Sequence, residues 1–258
     1  MLTDSKNEKS EPVNDSVDDR YSVKVKKTNK DELYQPRCCE IELLPKLPTG
    51  IVVIGRSGSG KTQATVNLLT NKYLLSDTFD FIYLFTGVKP DKDLIADLKL
   101  PKENIKENFT EEDVLKIMTK MEKTVDKQGM KNTPSVCFVF DDFLGEVAFL
   151  KSKTLTKLCT TNRHMNITYI ILSQYYKKLP PVVRTNASYY MIFPSSASEL
   201  DKISQELCPP SVSMKGFMKL AKHATKEKYQ FLSINTKCDP KNQLRKNFNN
   251  IINTNQEE

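Results

Sequence analysis

Residues 51–62 read Ile-Val-Val-Ile-Gly-Arg-Ser-Gly-Ser-Gly-Lys-Thr, an apolar run that breaks into a glycine-rich loop. Ile51 to Ile54 have the length and branching of a strand buried on both faces. Gly55, Gly60, Lys61 and Thr62 then satisfy G-x-x-x-x-G-K-[ST]. Between them Arg56, Ser57, Gly58 and Ser59 complete a loop whose glycines let successive N–H groups turn inward around phosphates. Lys61 supplies a mobile positive charge, Thr62 a hydroxyl for Mg²⁺, and the helix expected from Lys61 the positive end of its dipole. The whole of 55–62 is therefore the expected seat of a nucleoside triphosphate. The Arg56 side chain is expected to point to solvent or to a neighbour.

The rest of the chain alternates apolar runs with helical spacing. Strands are expected at Phe81–Phe85, Val136–Phe140, Ile167–Leu172, Tyr189–Phe193 and Tyr229–Ile234. Helices are expected at Lys61–Leu69, Lys89–Leu98, Glu111–Lys123 with Thr110 as N-cap, Leu155–Asn162, Ser198–Glu206 and Met214–His223. That alternation predicts an α/β fold, a mostly parallel sheet with helices on both faces. Ligands of such sheets sit at the carboxyl ends of the strands, and three polar signals fall there: the loop, Asp141-Asp142 and Gln174.

Asp141 and Asp142 close the apolar run Val-Cys-Phe-Val-Phe. A carboxylate at such a strand mouth can hold Mg²⁺, a role given to Asp141, while Asp142 would act as general base toward water. An acidic turn or helix start is the plainer alternative for the pair. Asp77, Asp80 and Asp91 are weaker acidic rivals, since none directly follows an apolar strand. Gln174 ends Tyr-Ile-Ile-Leu-Ser and can bond both a γ-phosphate and a water. A guanidinium is needed to spread charge off the γ-phosphate, and a neighbouring subunit can supply it. Arg163 is the first candidate and Arg184 the second; a salt bridge is the ordinary fate of either.

A chain of 258 residues suits one sizeable domain with tails. Residues 1–35 read as a disordered polar arm, 36–238 as the phosphate-loop domain, and 239–258 as a polar basic tail, partly disordered, with one short helix near Leu244–Ile252. No apolar stretch approaches the ~20 residues that span a bilayer, and the polar start from Leu2 argues against a secretory signal. The cysteines are scattered and there are two histidines, which fits reduced thiols in an intracellular compartment and disfavours a structural metal. From Lys215 onward nine Lys/Arg face four Asp/Glu. That excess would suit a phosphate backbone, or be no more than a solvated surface.

Over about residues 40–250 the chain resembles the genome-packaging ATPases of large DNA viruses, including the poxvirus type, and of virophages, within the FtsK–HerA class. The resemblance rests on Gly55-Arg-Ser-Gly-Ser-Gly-Lys-Thr62, Phe140-Asp-Asp-Phe143, Asn162-Arg-His164, Ile170-Ile-Leu-Ser-Gln174 and Leu179-Pro-Pro-Val-Val-Arg-Thr-Asn-Ala187. It implies a RecA-like ATPase using ATP and Mg²⁺. It further implies a homo-oligomeric ring that drives double-stranded DNA into a preformed capsid, with capsid vertex proteins as partners. The setting it implies is the host cytoplasm, with the virion as a second location. It assigns Lys61 and Thr62 to the loop, Asp141 and Asp142 to the acidic pair, Gln174 to the sensor, and Arg163 to action across a subunit boundary. The chain departs from many class members at Asp142, where Glu is common, and at Asn162, where Gly is. A DNA-remodelling or DNA-transfer ATPase shares this chemistry. A small-molecule kinase would need an arginine-rich lid that the sequence lacks.

Overall fold

The computed structural model describes residues 33–34, 43–87, 96–143 and 147–252. Nearly all of the arm at 1–35 and most of the helix expected at Lys89–Leu98 lie outside them. Leu33 and Tyr34 are described, and Tyr34 pairs with Leu47 through two backbone hydrogen bonds of 2.8 and 2.7 Å.

Among the described residues the sheet has nine strands, in the order β3-β2-β4-β5-β1-β6-β7-β8-β9. Six run parallel: β1 (Gly50–Ile54), β2 (Phe81–Thr86), β3 (Ile105–Lys106), β4 (Val136–Asp141), β5 (Ile167–Ser173) and β6 (Tyr189–Ile192). The last three, β7 (Leu232–Asn235), β8 (Leu244–Lys246) and β9 (Asn250–Ile251), are antiparallel additions at one edge. The parallel sheet expected from the alternating pattern is therefore present. One local expectation fails. The short helix near Leu244–Ile252 is instead the hairpin β8–β9, and the sheet continues past residue 238. Leu244 is the one large aliphatic in β8, too little to anchor a helix face, whereas pairing with β7 satisfies its backbone.

Each central strand is apolar on both faces because helices cover both. Val52 and Ile54 of β1 face one core with Phe138, Phe140 and Ile171. Ile51 and Val53 face the other with Val139, Ile170 and Leu172. Helix α1 (Lys61–Thr70) covers the second core through Leu68 and Leu69. Helix α2 (Glu111–Gln128) covers the first through Val114, Met118, Met121 and Val125, at helical spacing. Thr110 caps α2, its hydroxyl accepting from the Asp113 amide; the helix then runs five residues beyond the expected end, to a stop at Gly129 (φ 78°). Further on lie the one-turn α3 (Val147–Leu150), α4 (Lys153–Thr161), α5 (Pro181–Asn186), α6 (Ala197–Leu207) and α7 (Met214–Ala224).

The strand order matters for chemistry. β5 is inserted between β1 and β4, with Ile54 opposite Ser173 and Asp141 opposite Leu172. That register brings the carboxyl ends of three strands level, so the loop, Gln174 and the acid pair share one rim.

Candidate nucleotide site

The loop leaves β1 at Gly55 because no other residue fits there. A Cβ on Gly55 would stand 2.6 Å from Phe193 Cβ and 2.6 Å from Ser59 Oγ. Gly58 (φ 73°) and Gly60 (φ 97°) take the left-handed backbone that curls the loop, and a Cβ on Gly58 would meet nothing within 4 Å. Arg56 is exposed, as its place in the loop predicts, and Ser57 and Gly58 are exposed beside it. α1 then starts at Lys61, with Gly60 as an N-cap that makes no side-chain bond to the helix.

Two features inside the loop fit an incoming phosphate. Ser59 Oγ is buried without a hydrogen-bond partner, a costly state that an anionic oxygen would relieve. Lys61 is 9% exposed, and its ammonium donates to the Arg56 carbonyl at 3.1 Å, bridging the loop from within. Burial lowers the Lys61 pKa, opposed by the charges of Asp141 and Asp142. A phosphate would add a stronger stabilising charge.

Thr62 Oγ1 donates to Asp141 Oδ2 at 3.0 Å. The two are hard oxygen ligands of the kind Mg²⁺ takes, and they could hold it between them. Burial pushes the Asp141 carboxyl up, with the Thr62 hydrogen bond and Lys61 opposing and the Asp142 charge adding to the rise. A divalent cation would reverse that balance.

Asp142 has φ 62°, a left-handed conformation that is costly outside glycine. Its neighbours hold it there. Phe140 and Phe143 are buried on either side, with ring centroids each 5.4 Å from Phe149. Gly87, just past β2, donates its N–H to the Asp141 carbonyl at 3.0 Å. A Cβ on Gly87 would stand 2.9 Å from the Asp142 carbonyl oxygen. Gln174 Nε2 donates to Asp142 Oδ1 at 3.1 Å. The loop, Thr62, Asp141, Asp142 and Gln174 are thus brought together, as their positions at strand ends predict. Gly87 was missed; the signal was a glycine directly after the apolar run Phe-Ile-Tyr-Leu-Phe-Thr.

The other candidates separate. Asp80 binds the Ser135 amide at 2.7 Å and hydroxyl at 3.0 Å, joining the starts of β2 and β4 far from the loop. Asp77 is exposed, and Asp91 lies outside the described residues. Arg184 is held within its own subunit. Its guanidinium pairs with Glu206, donates from Nε to the Leu179 carbonyl at 3.1 Å and lies 5.4 Å from the Tyr176 ring centroid. Arg163 is different. It is exposed on the 3-10 turn Asn162–Met165 that leads into β5, at the opposite end of that strand from Gln174. Asn162, buried beneath it, donates to the Ile167 carbonyl at 3.0 Å and fastens the turn. Arg163 also borders a cavity of about 590 Å³ with Lys46, Asn186 and Lys237. That cavity lies at the amino ends of β1 and β6, away from the phosphate loop, and holds none of the loop chemistry.

A family model described as poxvirus A32 protein matches residues 40–248. DNA packaging protein OPG160 of vaccinia virus (strain Copenhagen) is 28% identical over 177 residues, covering 67% of this chain and 63% of that protein. The variola virus protein of the same name is 28% identical over 169 residues, covering 64% and 60%. The chain thus spans 60–63% of the length of these relatives. Among solved structures, the genome packaging NTPase B204 from Sulfolobus turreted icosahedral virus 2, in complex with ATP-gammaS, superposes with TM-score 0.51 at 16% identity, over 79% of this chain and 98% of that one. The cytoplasmic domain of the Thermomonospora curvata type VII secretion ATPase EccC gives 0.52 at 15% identity, over 79% and 25%. These two likenesses show the fold alone: a mostly parallel sheet covered by helices.

Proposed function

The chain belongs to the poxvirus A32 protein family, and from that premise we propose that it is an ATP-hydrolysing motor that moves viral double-stranded DNA into a preformed capsid. The observation that carries the proposal is the insertion of β5 between β1 and β4. It stations Gln174 between the phosphate loop and the acid pair, an arrangement suited to reading a γ-phosphate and acting on it. The packaging role comes from the relatives, each named DNA packaging protein OPG160.

In this reading the loop amides, Ser59 and Lys61 hold the β- and γ-phosphates of ATP. Thr62 and Asp141 hold Mg²⁺, which when bound supplies charge neutralisation of those phosphates. Asp142 accepts a proton from the attacking water. Gln174, bonded to Asp142, orients that water and registers whether the γ-phosphate is present. Arg163 is too far along β5 to serve the site of its own subunit, so it serves a neighbour's in a homo-oligomeric ring. Arg184, with its charge already met inside the subunit, does not share that role. Exposed lysines facing the DNA would make stimulation fall with salt. Among the described residues no helix is long and apolar enough to cross a membrane. Assembly would take place in the host cytoplasm at a capsid vertex.

The test is ATP hydrolysis with and without double-stranded DNA, against Lys61→Ala and Arg163→Ala. The expected result is DNA-stimulated turnover, lost in each variant and partly restored when the two are mixed. Mixing restores a complete site only if arginine and loop come from different chains. Turnover indifferent to DNA at low salt would count against the motor.

A further inference from the structure

The phosphate loop has two flanks, and the chemistry above occupies one. β7 runs antiparallel to β6 with Leu232 opposite Ile192. The chain entering β7 therefore passes the carboxyl end of β1 on the side away from Gln174 and Asp142. Tyr229 lies there, on a polar turn. It was expected to begin a strand, but the strand starts three residues later, at Leu232.

Tyr229 is 56% exposed and has φ 68°. A large aromatic in water and a left-handed backbone outside glycine are both unfavourable. Its ring nevertheless lies on the last glycine of the loop: a Cβ on Gly60 would stand 3.0 Å from Tyr229 Cδ1. Lys228 Nζ lies 4.8 Å from the ring centroid. The turn is well supported. Phe231, 4% exposed, packs at 5.1 Å on both Phe193 and Phe248. Phe193 in turn abuts Gly55. The Phe231 amide donates to Asn247 Oδ1 at 3.2 Å, and the Asn247 amide returns a bond to the Phe231 carbonyl at 2.8 Å. The exposed ring thus lies on one end of the loop, and the turn that carries it is braced against the other end through Phe231 and Phe193.

We infer that Tyr229 is the platform on which the base of the bound nucleotide stacks. The inference rests on the reading of 55–62 as a triphosphate site. If the γ-phosphate points toward Gln174 and Asp142, the α-phosphate, sugar and base leave the loop on the opposite flank. Tyr229 is the large aromatic exposed there, against the loop itself. Stacking uses the π-face that every base presents, so the platform favours purines over the smaller pyrimidines and discriminates weakly between adenine and guanine.

The chain contains no tryptophan, so Tyr229→Trp installs a single indole reporter at the site. Its fluorescence should be quenched by ADP and ATP and left unchanged by tripolyphosphate, which has no base. Tyr229→Gly removes the ring while suiting the backbone. It should weaken ATP and ADP binding about tenfold and leave tripolyphosphate binding intact, with Tyr229→Phe close to wild type. Equal losses for ATP and tripolyphosphate would mean that the ring only supports the loop, and would overturn the proposal. So would unchanged ATP affinity in Tyr229→Gly while Lys61→Ala abolishes binding. Wild-type protein that binds neither ATP nor tripolyphosphate would instead sink the triphosphate reading beneath it.

Discussion

Gln174 donates its side-chain N–H to Asp142 across 3.1 Å, although 32 residues separate them in the chain. The bond joins the end of β5 to the residue after β4, so that in the proposed mechanism the phosphate sensor would be tied to the group that activates water. Removal of the γ-phosphate would leave Gln174 with Asp142 as its remaining partner at the rim.

Asp142→Asn is therefore expected to lower ATP turnover by about 10²–10⁴-fold, the usual worth of a general base, with ATP affinity retained. Gln174→Ala should lower turnover less and weaken the preference for ATP over ADP. Equilibrium binding alongside single-turnover hydrolysis separates these effects. Loss of binding in Asp142→Asn would remove it from the role of base.

Gly87→Ala is expected to damage catalysis without touching nucleotide or metal ligands. The added methyl would meet the Asp142 carbonyl oxygen at 2.9 Å, and backbone cannot yield as a side chain does. A displacement of about 1 Å can cost 10²-fold, so turnover should fall about ten- to a hundredfold, beyond what the modest loss of stability from overpacking accounts for. Unaltered turnover would show that the acid pair tolerates the shift.

Asp141 gives a pH dependence of known sign. Burial raises its pKa above the ordinary 3.8, so its neutral form persists to higher pH than in a free carboxylate. If Mg²⁺ sits on Asp141 as proposed, it needs the ionised form and must compete with that proton. The Mg²⁺ concentration for half-maximal turnover should then rise as pH falls, with an onset at higher pH than for a solvent-exposed carboxylate. In Asp141→Asn the dependence should disappear along with most of the activity.

The Arg184–Glu206 pair is expected to act on stability. Burial pushes the Glu206 carboxyl up, but hydrogen bonds from Lys202, Tyr176 and Arg184, with the Arg184 charge, outweigh it and hold the pKa below the ordinary 4.5. A folded pKa below the unfolded one gives stabilisation that is full above the unfolded value and is lost as pH falls through the folded one. Arg184→Ala should cost about 1 kcal/mol near neutral pH, read by chemical denaturation. The difference from wild type should shrink as pH falls below the ordinary carboxylate range. In a mixing assay with Lys61→Ala, Arg184→Ala should hydrolyse ATP without the complementation expected of Arg163→Ala.

The parallel half of the sheet was legible because its strands carry their own signal. β1, β4 and β5 are buried on both faces and read as mostly apolar runs, and the loop, the acid pair and Gln174 stand at or directly after their ends. β8 carries no such signal: Leu-Arg-Lys owes its place to pairing with β7, a contact that local pattern does not encode. β3, two residues long, fails for the same reason. Arg163 and Arg184 looked alike in sequence because what separates them is tertiary. Glu206, on α6, meets one of them, and nothing printed by the sequence brings it there. Gly87 and Tyr229 were missed because each matters through a single close approach to a backbone that is distant in the chain.

β5 has Asn162-Arg163 ahead of it and Gln174 behind it. All seven of its residues are buried, and it is bonded to a parallel strand on each side. At about 3.3 Å per residue it forms a strut about 23 Å long, hydrogen-bonded along both edges. In a ring, one end of that strut would press on the neighbour's phosphates while the other touches its own. News of a hydrolysed phosphate could then cross a subunit only as a tilt of the whole body, so the firing order around the ring would be set by the stiffness of subunit contacts rather than by any pliable loop within the domain.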